Sequence, residues 1–291
     1  MKNKDWIWGY LLILPTVAGL IILNIYPIGR TFFMSFTQSS GFGKFKWIGL
    51  ANYKRLAGDT LVWESVGNTL LFTVIYVSIG LVLGVIIAGL IISVKRGQKI
   101  FRTIYFIPLV VAPAAVAILW RWLFNADYGL INYLFSLINI AGPRWLTTPG
   151  LSITSISMVA IWSELGYSMV ILMAGLQDIP ESYYEAAHID GASEVRKFIS
   201  ISLPLLTPSL FFLMVTNIMK AVKQFDLVYM MIDKMNPALE KTQTLLYLFY
   251  GFAFERNEKG YASSIVLLAF IIIMIITFLQ FQAQKRWVHY E

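Results

Sequence analysis

Six apolar stretches, each long enough to cross a hydrocarbon layer, limit what this chain can fold into. A bilayer core of about 30 Å needs about 20 helical residues at about 1.5 Å rise each. Such stretches occupy residues 6–36, 65–94, 103–124, 151–176, 204–228 and 261–282. Trp6 to Gly29 and Ser65 to Val94 contain no charged side chain. The third stretch holds Pro108 and Pro113, which neighbouring helices tolerate inside a bilayer. Backbone amides in lipid have no water to bond with, and continuous apolar runs of this length satisfy them as helices. The expectation is an all-α integral membrane protein with six transmembrane helices, forming one transmembrane domain over residues 1–291.

Composition agrees. Hydrophobic residues make up 58% of the chain and charged residues 13%, more apolar surface than a water-soluble core hides. With no cysteine there is no disulfide framework, thiolate metal site or cysteine nucleophile. The two histidines, His188 and His289, are too few for a metal cluster, so no bound cofactor or metal is expected. The net charge of +7 comes from basic residues in short groups between apolar runs, a membrane-flanking pattern rather than a nucleic-acid face. Lys2 and Lys4 precede the first stretch, but it is too long for a signal-peptide core and lacks a small-x-small cleavage site, so a retained helix is expected.

Lysine and arginine placement gives an orientation. Lys2 and Lys4, then Lys95, Arg96, Lys99 and Arg102, then Arg196 and Lys197, then Lys285 and Arg286 fall on one side of a six-span arrangement. Lys44, Lys46, Lys54, Arg55, Arg144, Lys234, Lys241, Arg256 and Lys259 fall on the other, in longer loops mixed with acids. The asymmetry favours both termini inside by a modest margin.

Between the fourth and fifth stretches, residues 177–203 are too polar to insert. Pro180 at a helix start, acids in the first turns (Glu181, Glu185) and basic residues later (Arg196, Lys197) fit a surface helix or pair of helices. Ala186, Ala187 and Ala192 are small, and Gly191 permits either a close backbone approach or a reversal between two short helices.

Glu185, Ala186, Ala187, then Asp190, Gly191, Ala192, then Phe198, Ile201, Leu203 and Pro204 resemble the cytoplasmic EAA loop of binding-protein-dependent ABC importer permeases. Further markers resemble its carbohydrate-uptake, maltose-type branch: Tyr26-Pro27, Asn68-Thr69, Phe101-Arg102-Thr103 with Pro108, and Ala174 to Gln177. After Phe225-Asp226, where many members carry a Gly-Gly-Pro turn, this chain departs and reads Ile232 to Pro237 without one. The resemblance implies that Glu185, Ala186, Ala187, Asp190, Gly191 and Ala192 form a coupling helix seated on an ATPase. It implies a multi-pass subunit of the bacterial cytoplasmic membrane, with both termini in the cytoplasm. The implied partners are a second similar permease, usually a different chain in this branch, a dimer of ATPase subunits using ATP and Mg, and an external solute-binding protein. The implied cargo is a sugar or oligosaccharide, neutral or acidic.

Nothing in the chain supplies energy or catalysis: it has no G-x-x-x-x-G-K-[ST] loop, no H-E-x-x-H and no recognisable nucleophile motif. Charges inside the spans, Glu164, Lys220, Lys223 and Asp226, cost about 2.5–3.5 kcal/mol each on insertion scales and so need a reason. Counted at about 1.5 Å per residue, Glu164 and Lys220 reach similar depths. Three readings stay open: an ion pair of Glu164 with Lys220 or Lys223, lysines reaching to interfacial water, or direct contact with an anionic solute. Trp162, Tyr167, Phe225 and Tyr229 offer flat faces to sugar rings or anchor the interface, and Gln224 offers hydrogen bonds to hydroxyls. Trp120 and Trp122 read as interfacial anchors. The rival readings are an ion-coupled secondary transporter using Glu164, an intramembrane enzyme, and an importer of glycerol phosphate, phosphate or polyamine.

Overall fold

The computed structural model describes residues 5–40, 44–94 and 96–288; Lys2, Lys4, Lys95 and His289 lie outside them. The elements, in chain order, are α1 (Trp6–Ser35), strands β1 (Thr37–Ser40) and β2 (Lys44–Trp47), α2 (Ala51–Gly58), α3 (Thr60–Ser93) and α4 (Gln98–Val110). There follow α5 (Pro113–Leu123), α6 (Leu130–Leu137), α7 (Leu151–Gln177), α8 (Glu181–Ile189) and α9 (Glu194–Leu205). The chain ends with α10 (Thr207–Val222), α11 (Asp226–Met231), α12 (Leu245–Glu255) and α13 (Lys259–Trp287).

α1, α3, α7 and α13 are each long and apolar enough to cross a membrane, and two bent pairs, α4 with α5 and α9 with α10, bring the number to six if each pair is one crossing. Two of the expected stretches are bent. The stretch expected at 103–124 is two helices meeting at 99°. Ala112 precedes Pro113, whose ring drives it out of the helical region to φ −56°, ψ 134°, with Val111 extended as well. The stretch expected at 204–228 begins with a 62° bend between α9 and α10, flanked by Pro204 and Pro208, and ends at Val222. β1 and β2 pair antiparallel, Thr37 opposite Trp47, a small sheet that the apolar pattern did not announce.

The chain forms two compact units. The first holds residues 1–60 and 248–270. In it Asn52 Nδ2 donates to the carbonyls of Ser35 (2.8 Å) and Thr37 (2.9 Å), fastening α2 to the end of α1. Arg55 pairs with Glu258 and lies 3.9 Å from the Tyr261 ring centroid, and the Tyr261 hydroxyl donates to Asp59 Oδ2 at 2.6 Å. α1 buries none of its most apolar window within this chain.

The second unit, residues 61–247 and 271–291, is organised on α7, whose most apolar window is 61% buried, the largest share among the four long helices. One cluster gathers Phe72, Tyr76, Val116, Ile156 and Val228; another gathers Ala88, Met169, Leu172, Leu206 and Leu213. α4 crosses α7 at Gly166, where an added Cβ would sit 2.1 Å from the Tyr105 carbonyl oxygen, a distance no side chain survives. Gly166→Ala should therefore force the helices apart and cost about 1–3 kcal/mol, read as a lower melting temperature in detergent. Gly80→Ala, with nothing within 4 Å of the new Cβ, is the matched control and should melt as wild type.

Candidate functional site

Two of the interruptions of helical backbone in the second unit, at 111–112 and 223–225, border one cavity of about 340 Å³. Its wall includes Phe72 and Tyr76 from α3, Pro108, Val111 and Pro113 around the first break, Ser163 and Glu164 from α7, and Lys220, Lys223, Gln224, Phe225 and Asp226 around the second. Of the candidate path residues, Glu164, Lys220, Lys223, Gln224, Phe225 and Asp226 line it. Tyr229 stands behind it, its ring stacked on Phe225 at 5.1 Å. Tyr167 lies under Lys220, whose Nζ is 4.4 Å from the ring centroid. Trp162 lines a separate apolar hollow and packs edge-on against Trp120 at 5.5 Å. Trp120 thus packs against the core, whereas Trp122 is exposed.

Lys220 Nζ donates to Glu164 Oε2 at 2.6 Å, joining α10 to α7. Of the two lysines the chain offered, Lys220 makes this pair. Lys223 sits at the C-terminal cap of α10 and Asp226 in the first turn of α11, positions where helix ends favour a cation and an anion respectively.

Residues 232–244 fold back into the protein, and side chains from the spans satisfy their backbone. Asn68 Nδ2 donates to the carbonyls of Glu240 (2.8 Å) and Gln243 (3.0 Å), and Leu245 N–H donates to Thr69 Oγ1 at 3.0 Å. Ser152 and Thr242 share a hydrogen bond of 2.5 Å, and Thr244 Oγ1 donates to the Gln224 carbonyl at 2.6 Å. Asn68-Thr69, one of the markers of the resemblance, thus holds this segment in place. Phe72 and Tyr76, one and two turns along α3 on the same face, were missed because aromatic residues at helical spacing read as ordinary core.

The polar segment folds as two helices, α8 and α9. Gly191 N–H donates to the His188 carbonyl (3.0 Å) and Ala192 N–H to the Ala187 carbonyl (2.9 Å), the paired bonds of a Schellman cap. Gly191 takes φ +74° with open space around it, so the glycine serves the reversal and not a close approach. Ser193 Oγ then accepts from Arg196 N–H and starts α9. α8 buries no residue, and Glu185, Ala186, Asp190 and Gly191 are exposed, with Ala187 and Ala192 partly so.

A family model described as the binding-protein-dependent transport system inner membrane component matches residues 80–289. The chain belongs to this family. Relatives along its whole length agree. It is 36% identical to the probable ABC transporter permease YesP of Bacillus subtilis over 294 residues, covering 99% of this chain and 94% of that one. It is 34% identical to the sn-glycerol-3-phosphate transport system permease UgpA of Yersinia enterocolitica, covering 97% and 95%. It is 31% identical to the trehalose/maltose permease MalF of Thermococcus litoralis, covering 95% and 93%. In fold it matches a chain of a bacterial alginate ABC transporter crystallised with a pentasaccharide-bound periplasmic protein, at TM-score 0.87 and 20% identity, covering 98% and 96%. The chain is therefore a permease subunit of an ABC importer, a transport component and not an enzyme, and the ion-coupled carrier and intramembrane enzyme fall away.

In this permease the Glu164–Lys220 contact should behave as a true pair. A double-mutant cycle with Glu164→Gln and Lys220→Gln, followed by thermal unfolding in detergent, should give a coupling energy of at least about 0.5 kcal/mol, with each single change costing more than the pair removed together.

Proposed function

We propose that this permease forms one half of the translocation path of an ATP-driven importer in the bacterial cytoplasmic membrane, crosses it six times and keeps both termini in the cytoplasm. Its partners on this reading are a second, similar permease, a dimer of ATPase subunits using ATP and Mg, and an external solute-binding protein. The observation that carries the reading is the α8–α9 pair: an exposed helix ending in a glycine-dependent reversal, joined through α9 to the bent start of α10. Glu185, Ala186, Ala187, Asp190, Gly191 and Ala192 are the surface on which the ATPase seats. ATP-driven closure moves that surface, and the helices around the cavity switch between outward and inward access, two packings of the same elements.

The solute is a sugar or oligosaccharide. Supporting this, a relative along the whole chain is named for trehalose and maltose, and the cavity offers the ring of Phe225 beside Gln224 and the Glu164–Lys220 pair. Stacking on an aromatic face with a few converging polar groups suits hydroxylated rings. A second reading, glycerol phosphate, draws on the relative named for that solute and on Lys220 and Lys223 in the wall.

Co-purification from native membranes should bring an ATPase and a second permease with the wild-type chain. Gly191→Asp and Glu185→Lys should abolish uptake while the chain still inserts. Gly191→Asn, which tolerates left-handed backbone better than other replacements, should keep more of it. A wild-type chain that purifies alone and still moves solute would overturn the reading. Uptake of labelled glycerol phosphate but of no oligosaccharide would decide for the second solute.

A further inference from the structure

At the end of α3 nearest the α8–α9 pair lies a groove of about 500 Å³, separate from the solute cavity. One wall is α3, with Ile86, Leu90 and Ser93; the other is α9, with Val195, Lys197 and Phe198. The Phe198 ring lies so close to Gly89 that a Cβ there would meet it at 2.9 Å, which fixes α9 against α3. The rim is open and apolar: Ile86, Leu90 and Val195 are 48%, 62% and 69% exposed. One acidic side chain on the wall, Glu194, is held by the buried Lys197 at 2.5 Å.

Just beyond Ser93 the chain turns and becomes basic. Arg96 stands in the turn, and Lys99 and Arg102, three residues apart, share one face of the first turns of α4. Gln98 Nε2 donates to the carbonyl of Ile92, itself a groove residue, at 3.1 Å, so the basic turn is tied to the end of the groove. Arg102 keeps its Nε turned inward with no hydrogen-bond partner among the described residues. Ile100, Phe101 and Ile104 are exposed beside these cations. An open apolar trough tied at one end to a cluster of cations matches one kind of molecule in both halves.

We propose that the groove seats an anionic phospholipid of the leaflet on the α8–α9 side, its acyl chain lying between α3 and α9 and its phosphate held by Arg96, Lys99 and Arg102. Basic residues at the bilayer surface attract anionic headgroups over zwitterionic ones, and guanidinium groups bind phosphate oxygens through directed hydrogen bonds. Because Val195 and Phe198 belong to α9, the bound lipid packs against the same helix that continues from the exposed α8 surface. The site needs no assignment of the transported solute.

The test titrates the full-length chain, delipidated in detergent, with phosphatidylglycerol or with phosphatidylcholine of identical acyl chains, and counts bound lipid by native mass spectrometry. Wild type should hold phosphatidylglycerol at least about tenfold more tightly, given the attraction expected per surface cation. The double variant Arg96→Glu, Lys99→Glu should lose that preference. Leu90→Trp, at an exposed position where the larger ring fills the groove, should weaken retention of both lipids with the basic turn intact. Equal binding of the two lipids by wild type, or a preference unchanged in the charge variant, would overturn the proposal. So would wild-type retention by Leu90→Trp, which would reduce the effect to general surface attraction.

Discussion

Backbone amides in a lipid environment must find partners within the protein, and the rest of this structure follows from where they fail to do so along a helix. Proline at 113 ends α4, and the chain leaves helical geometry again at 223–225 after α10. Non-helical backbone inside a membrane is tolerated where it is buried in protein or lines a cavity. Both interruptions border the same cavity. The carbonyl of Gln224, exposed by the second interruption, is taken up by Thr244, and the irregular stretch after α11 is held by Asn68, Thr69 and Ser152. Polar side chains on α3 and α7, which look out of place in apolar helices, are the counterpart of broken backbone elsewhere.

The electrostatics of the cavity follow the same economy. Glu164 and Lys220 neutralise each other, and Lys223 and Asp226 stand at helix ends that favour their signs. On the proposed reading, such a wall would pass a hydroxylated solute rather than hold it. Tight binding inside the membrane would slow release.

The existence and type of the long helices were legible in the sequence because about 20 apolar residues in a row admit few other outcomes. The exposed pair around Gly191 was legible too, since a proline start, graded charges and a glycine each point to a local cause. The choice between reversal and close approach at Gly191 depended on φ, which no residue pattern reports. The 99° bend at Ala112-Pro113 was not legible because a proline within an apolar run is compatible with a straight span, a kink or a break, and the neighbours decide. Phe72 and Tyr76 line the same cavity as the two backbone breaks, a placement that helical spacing alone does not report. Glu164 and Lys220 were brought to similar depth by residue counting alone, but the choice of Lys220 over Lys223 required the end of α10 to be placed.

The bend between α9 and α10 turns two helices into a cranked lever. Leu206, fully buried at the elbow, is its fulcrum, the α8–α9 surface lies on one arm, and Lys220 rides near the tip of the other. At about 1.5 Å per residue the long arm reaches about 21 Å from Leu206 to Lys220, so a swing of about 10° carries the ammonium about 4 Å. With α7 held in place, that travel would take Lys220 and Glu164, now 2.6 Å apart, out of hydrogen-bond range. On the proposed cycle, a small rotation at the elbow would open a polar contact in the cavity wall without any helix unwinding.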